Sequence, residues 1–183
     1  MHIDLVRDPA TKFPEIDHPS EVRSLRSWHC KYKSLMRLSA FENIEELAIA
    51  SVPDASLNFL APLKRLRYLR VVHMPKVTDI AIIGDLVSLE SLSLATSPSW
   101  DSSGKKSIVK GFELLAQLQS LRHLELFGVC SMNMSLLPIE NCKALLSARF
   151  SQYPKPEVER FYGATRVTNE FNPPATFEVQ HTH

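Results

Sequence analysis

One short pattern, L-x-x-L-x-L with apolar substitutes, returns along this chain at nearly constant intervals, and it dictates a repetitive architecture rather than a closed globule. Four copies are clean: Ile44, Leu47 and Ile49; Leu66, Leu69 and Val71; Leu89, Leu92 and Leu94; Leu121, Leu124 and Leu126. Two weaker copies flank them, with Val22, Leu25 and Ser27 on the N-terminal side and Leu145, Ala148 and Phe150 on the C-terminal side. Between first residues the intervals are 22, 22, 23, 32 and 24. The closing L-x-L of each copy has the period of a strand, which sends alternate side chains to opposite faces.

Upstream of each copy the apolar residues fall at every third position, as in Leu60, Leu63 and Leu66, or Ile83, Leu86 and Leu89, or Leu115, Leu118 and Leu121. That is helical or 3₁₀ spacing. Each unit therefore reads as a short strand, a turn, and a helical return that brings the chain back beside the previous strand. A unit this small cannot bury its apolar face alone, so the units must stack, and stacking builds a parallel sheet on one face.

The pattern resembles the leucine-rich repeat family over residues 22–150. The resemblance implies an α/β leucine-rich repeat solenoid: right-handed, with a parallel β-sheet on the concave face, helices or 3₁₀ segments on the convex face, and about six repeats. The expected organisation is an N-terminal cap over 1–21, repeats over 22–153 with an insertion at 96–106, a C-terminal cap over 154–171, and a flexible tail over 172–183. In the caps, Ile3 and Leu5 alternate like a short strand, and Val158 and Phe161 are expected on the core side. The family consensus places Asn or Cys three residues after the last Leu, where the side chain bonds the turn backbone. Here those positions hold Cys30, Val52, Met74, Ser97 and Val129, so the asparagine ladder is mostly absent, and turn geometry and curvature stay open.

The long interval comes from Thr96–Lys106, a run of Ser, Pro, Asp, Gly and Lys around Trp100 that reads as a loop. After it, Ile108, Phe112, Leu115 and Leu118 predict a longer helix in that repeat. Trp100 is either an anchor for a partner or a cover folded back over a neighbouring repeat.

Charge and composition narrow the function. Lys and Arg total 21 against 20 for Asp and Glu, a net charge of +1, which gives nucleic acid or an anionic membrane nothing to grip. No stretch approaches the roughly 20 consecutive apolar residues of a spanning helix. Charges interrupt the N-terminal Met-His-Ile-Asp-Leu-Val-Arg-Asp, leaving no apolar core for a secretory signal, and a cytoplasmic location is expected. Cys30, Cys130 and Cys142 are odd in number and widely spaced, so reduced thiols are expected rather than a disulfide framework or a zinc site.

Signatures of catalysis are missing. Ser103-Gly104-Lys105-Lys106-Ser107 lacks the earlier glycine of a phosphate loop, and the five glycines form neither G-x-G-x-x-G nor G-x-S-x-G. His181 and His183 make an incomplete metal site. No cofactor and no metal are expected.

Stacking would align residues at equal offsets into rows. The central row reads Arg26, Ala48, Arg70, Ser93, Glu125, Arg149; the row before it Ser24, Glu46, Tyr68, Ser91, His123, Ser147; the row after it Trp28, Ala50, Val72, Ala95, Phe127, Ser151. Large residues alternate with small ones, and Trp, Tyr and Arg are the types that dominate binding hot spots. The expected function is a monomeric protein-interaction module binding through the concave face with Arg26, Trp28, Tyr68, Arg70, His123, Glu125, Phe127 and Arg149. An inhibitor or immunity-type protein is the narrower form. The alternatives are an enzyme or ligand-binding protein with a site near His123, Glu125 and Cys130, or a self-associating structural subunit. A local pairing of Arg149 with Glu125 would take both out of the binding surface, and substitutions at Ser93 or Arg70 are expected to cost little stability.

Overall fold

The computed structural model describes residues 1–174. Each of the six copies forms a strand: β2 (Ser24–Trp28), β3 (Glu46–Ala50), β4 (Tyr68–Val72), β5 (Ser91–Ala95), β7 (His123–Phe127) and β9 (Ser147–Phe150). The flanking segments add a strand at each end, β1 (His2–Val6) and β10 (Thr168–Asn169). All eight lie in one sheet in the order β1-β2-β3-β4-β5-β7-β9-β10, and every pairing is parallel. The register keeps the motif in line, Leu25 facing Leu47, then Leu69, Leu92, Leu124 and Ala148. These residues are at most 1% exposed and form one layer of the core.

The returns between the six repeat strands are five short 3₁₀ segments, Met36–Ala40, Asn58–Leu60, Ala81–Asp85, Glu113–Gln117 and Leu137–Asn141. Their apolar residues recur every three positions because a 3₁₀ turn eclipses i and i+3. Leu57, Leu60, Leu63 and Leu66 accordingly all point inward with no exposed surface. Neighbouring returns pack closely: a Cβ at Gly84 would stand 2.9 Å from the Leu114 carbonyl oxygen, so only glycine fits.

Backbone geometry, rather than an asparagine ladder, makes the turn. The residue following the strand is left-handed in Arg7, His29, Ser51, His73 and Gly128, and the equivalent Gln152 shares this conformation. That kink aims the next amides at the neighbouring repeat: Ser51 donates to the Val72 carbonyl at 2.8 Å, and Val52 donates to that of His73 at 3.0 Å. With the turn bonded through backbone, the ladder positions are free to be apolar, and Val52, Met74 and Val129 are buried. Cys30 keeps a ladder-like role, its thiol donating to the Leu5 carbonyl at 3.3 Å.

The inserted residues do not lengthen the following helix, contrary to the expectation from Ile108, Phe112, Leu115 and Leu118. They form a one-turn helix, α1 (Pro98–Ser102), and a short strand, β6 (Ser107–Val109), while the return stays a five-residue 3₁₀ segment. β6 pairs in parallel with β8 (Val129–Ser131) in a second, two-stranded sheet, which leaves Ile108 40% exposed. The apolar spacing from Phe112 onward thus belongs to the ordinary 3₁₀ return.

Two side-chain clusters close the ends. At the N-terminal end Phe13 packs on Tyr32 and Phe41, with ring centroids 5.2 and 6.2 Å apart, and Tyr32 donates to Asp8 at 2.6 Å. At the other, α2 (Lys155–Ala164) buries Phe161 fully against Phe150, with Val158 partly buried beside the core. Glu157 ties α2 to the last return by accepting from the Leu136 amide at 2.6 Å and from Arg160, which also meets Glu140. From residue 175 onward the tail read at 172–183, including His181 and His183, lies outside the described residues. Among the described residues no helix is long and apolar enough to cross a membrane.

Candidate functional site

The three rows expected from the sequence are the three outward positions of each strand, and β1 extends them with His2, Asp4 and Val6. These extra residues were legible in the Ile3 and Leu5 alternation, since what flanks inward residues must point outward. Each row has its own chemistry.

The row at the start of the strands is polar and largely self-satisfied. His123 Nδ1 lies 2.8 Å from Ser147 Oγ, and His2 Nδ1 lies 3.0 Å from Ser24 Oγ, each histidine matched by a serine one strand away. Burial, reinforced by the Arg122 charge, holds the His123 imidazole below its usual pKa, so it is neutral at pH 7. Just outside this row Arg67 forms two bonds to Glu90, at 3.0 and 3.1 Å, and Arg23 approaches Glu45. Pro174 reaches this edge and lines a cleft with Glu46, Tyr68, Glu90 and Ser91.

The central row carries the charges. Arg26 donates to Asp4 on β1 from Nε at 2.7 Å and through Nη2. Arg149 donates from Nε to Glu125 at 2.9 Å, pairs with it again through Nη2, and lies over the Phe127 ring at 5.1 Å. Glu125 is 6% exposed and also accepts from Ser93 Oγ at 2.7 Å. Arg149 and Glu125 are therefore engaged with each other. Ser93 has no exposed surface and a partner of its own, which corrects the expectation that changing it costs little. Arg70 lies over the Trp28 ring at 5.2 Å and joins no carboxylate among the described residues.

The row at the strand ends is apolar through Val6, Trp28, Ala50, Val72, Ala95 and Phe127, and its expected last member, Ser151, is polar and lies just past the end of β9. The insertion borders it, because Trp100 packs edge-on against His73 with centroids 5.1 Å apart. Asp101 fixes α1 there, accepting from Ser151 Oγ at 2.8 Å and from Gln152 Nε2 at 3.2 Å. Trp100 is thus a cover on a neighbouring repeat, and His73, which the sequence reading did not single out, is the residue it covers. Only contact across an insertion could have revealed that pairing.

Solved structures with this architecture include internalins of Listeria monocytogenes. Internalin C2 matches with a TM-score of 0.55 at 17% identity, covering 82% of this chain and 71% of that one. The chain is a leucine-rich repeat solenoid. A second internalin, inlF, matches with a TM-score of 0.50 at 14% identity over 95% of this chain and 55% of that one. In sequence, the solenoid is 28% identical over 123 residues to a Trypanosoma equiperdum protein named "Putative adenylate cyclase regulatory protein", a match covering 61% of this chain. It spans only 18% of that much longer relative. No family model matches the sequence.

His123 and Glu125 share the outward side of β7, whereas Cys130 belongs to the second, two-stranded sheet. Cys130 lies in β8, has no exposed surface, and directs its thiol toward the carbonyls of Ser151 and Gln152 at 3.9 and 3.8 Å. Burial pushes that thiol up to about 11, so it is protonated at neutral pH and a poor nucleophile. Among the described residues no group of His, Cys, Asp or Glu is arranged to hold a metal ion.

Proposed function

We propose that this solenoid is a protein-interaction module that binds a partner protein through the solvent face of its sheet. The observation that carries the reading is the half-buried constellation Trp28, Tyr68, Arg70 and Phe127, presented by β2, β4 and β7. These are anchor-forming residue types on a rigid scaffold, where little ordering entropy is lost on association. The relative's name carries a regulatory role, and a solenoid that acts by occupying a target is the corresponding reading for this chain. Inhibition of one dedicated target is its narrower form.

Capture from the native host's lysate, followed by mass spectrometry, tests the reading. Wild type is compared with Tyr68→Ala combined with Arg70→Glu, and with a convex-side control, Leu137→Ala, each checked for folding by circular dichroism. A protein retained by wild type and the control but lost by the double variant is expected. Equal retention by all three would move the site off the sheet. A mass that rises with concentration, in the absence of any captured protein, would favour the self-associating alternative.

A further inference from the structure

We propose that the sheet face takes an acidic peptide segment of its partner, with Arg70 as the anion site and Trp28 as the platform beside it. The proposal rests on the binding reading above and adds what the partner must present. Three arginines point outward along the central row, and two are already matched: Arg26 by Asp4 and Arg149 by Glu125. Arg70 is different. Its neighbours in register are Ala48 on β3 and Ser93 on β5, neither of which can neutralise it. No ion pair joins it to a carboxylate among the described residues, and its guanidinium lies over the Trp28 ring.

That contact leaves the donors available. A cation over an indole ring spends no N–H group on a hydrogen-bond acceptor, so the Arg70 donors can still meet a bidentate carboxylate. The stack crosses a whole strand, from β2 to β4, because the residues beneath it are small: Ala48 and Ala50 are only 3% and 2% exposed. From this shelf the apolar row runs on through Val72 and Ala95 to Phe127, a track for the side chain that follows the partner's carboxylate. Within the central row both flanks are electrostatically closed, since Asp4 and Glu125 already hold arginines. A basic segment would find no unengaged acceptor in the central row, whereas an acidic one finds Arg70. With Arg26 and Arg149 already paired, the central row offers no run of cations for a polyphosphate backbone, which favours a single carboxylate set among apolar residues.

The test uses the full chain and two fluorescein-labelled hexapeptides, Glu-Glu-Phe-Glu-Leu-Glu and its Gln-for-Glu counterpart, read by fluorescence anisotropy at low salt. Wild type is expected to bind the acidic peptide about tenfold more tightly, the order of one charge-assisted bidentate contact. Arg70→Gln should erase that preference while leaving the circular dichroism spectrum unchanged. Equal binding of both peptides, no binding of the acidic one, or a preference that survives Arg70→Gln would each overturn the proposal. The captured partner separates this failure from that of the broader reading. Capture lost with Trp28→Ala but kept with Arg70→Gln sinks only the acidic recognition; capture kept with both sinks the binding face itself.

Discussion

Arg149→Ala strands a carboxylate inside the sheet face, and the size of the penalty follows from its surroundings. Glu125 is 6% exposed and has two protein partners, Ser93 Oγ at 2.7 Å and the Arg149 guanidinium. Removing the arginine leaves a nearly buried charge with one neutral donor. A hydrogen bond to a charged group is worth about 1.5–3 kcal/mol, and breaking a fully buried pair costs about 3–5 kcal/mol. The Arg149 side chain is 50% exposed, so water can reach the vacated site and the lower range applies, about 1.5–3 kcal/mol. Adding Glu125→Ala removes the stranded charge, so the double variant should lose about 1 kcal/mol less than the sum of the singles. Urea unfolding followed by far-ultraviolet circular dichroism at pH 7 measures all three. A loss below about 0.5 kcal/mol for Arg149→Ala, or strict additivity, would refute the assignment of this pair to the scaffold and return both residues to the binding surface.

Leu124→Ala, at a fully buried position, should cost about 2–5 kcal/mol in urea unfolding, against less than about 1 kcal/mol for Leu114→Ala, whose side chain is 38% exposed. Gly84→Ala should destabilise by about 1–3 kcal/mol, because its methyl group would meet the Leu114 backbone, which cannot swing aside as a side chain can. With Ellman's reagent the native protein should show at most one readily reacting thiol, that of the partly exposed Cys30, and three in guanidinium; prompt reaction of Cys130 or Cys142 would contradict their burial. Glu157 is held down to about 2 by Arg160, so its stabilising contribution is complete above the ordinary pKa of about 4.5 and is lost as pH falls through the interval down to about 2. Melting temperature should drop over that acid interval, and Glu157→Gln should flatten part of the drop.

The sheet was legible in the sequence because strand period and repeat interval act together: once Leu47, Leu69, Leu92 and Leu124 are aligned, every outward neighbour follows. The same reasoning could not reach the insertion. Its apolar residues satisfy a helical spacing, but Ser107–Val109 is a strand because the amides of its own repeat find a partner in Val129–Ser131, two short segments that no local pattern links. The turns escaped it for a related reason. Left-handed backbone at His29, Ser51 and His73 occurs in residues whose identity does not announce it, and the stacked amides impose it. In the site, a pairing one strand apart could be read from the rows, as Arg149 with Glu125 shows. The Arg70–Trp28 stack could not, since it depends on two alanines lying low enough for one side chain to cross an intervening strand.

In a parallel stack held in register, strands lie about 4.8 Å apart, so a charge in any row is within reach of the same row on both neighbours. An evolving repeat array can therefore cancel a charge locally by one substitution in the next repeat. Three such pairs are present here: Asp4 beneath Arg26, Glu90 beside Arg67, Glu125 beside Arg149. Against that background, a charge left uncancelled between Ala48 and Ser93 is informative. An acid at position 48 would stand one strand from Arg70, at the spacing of the flanking pairs, whereas Ser93 is fully buried and gives its hydroxyl to Glu125, where a second carboxylate would be repelled. Alanine at position 48 keeps the Arg70 donors unspent and, with Ala50, keeps the floor low enough for Trp28 to carry the guanidinium. The asymmetry of a row, rather than its total charge, is what gives this face a preferred ligand.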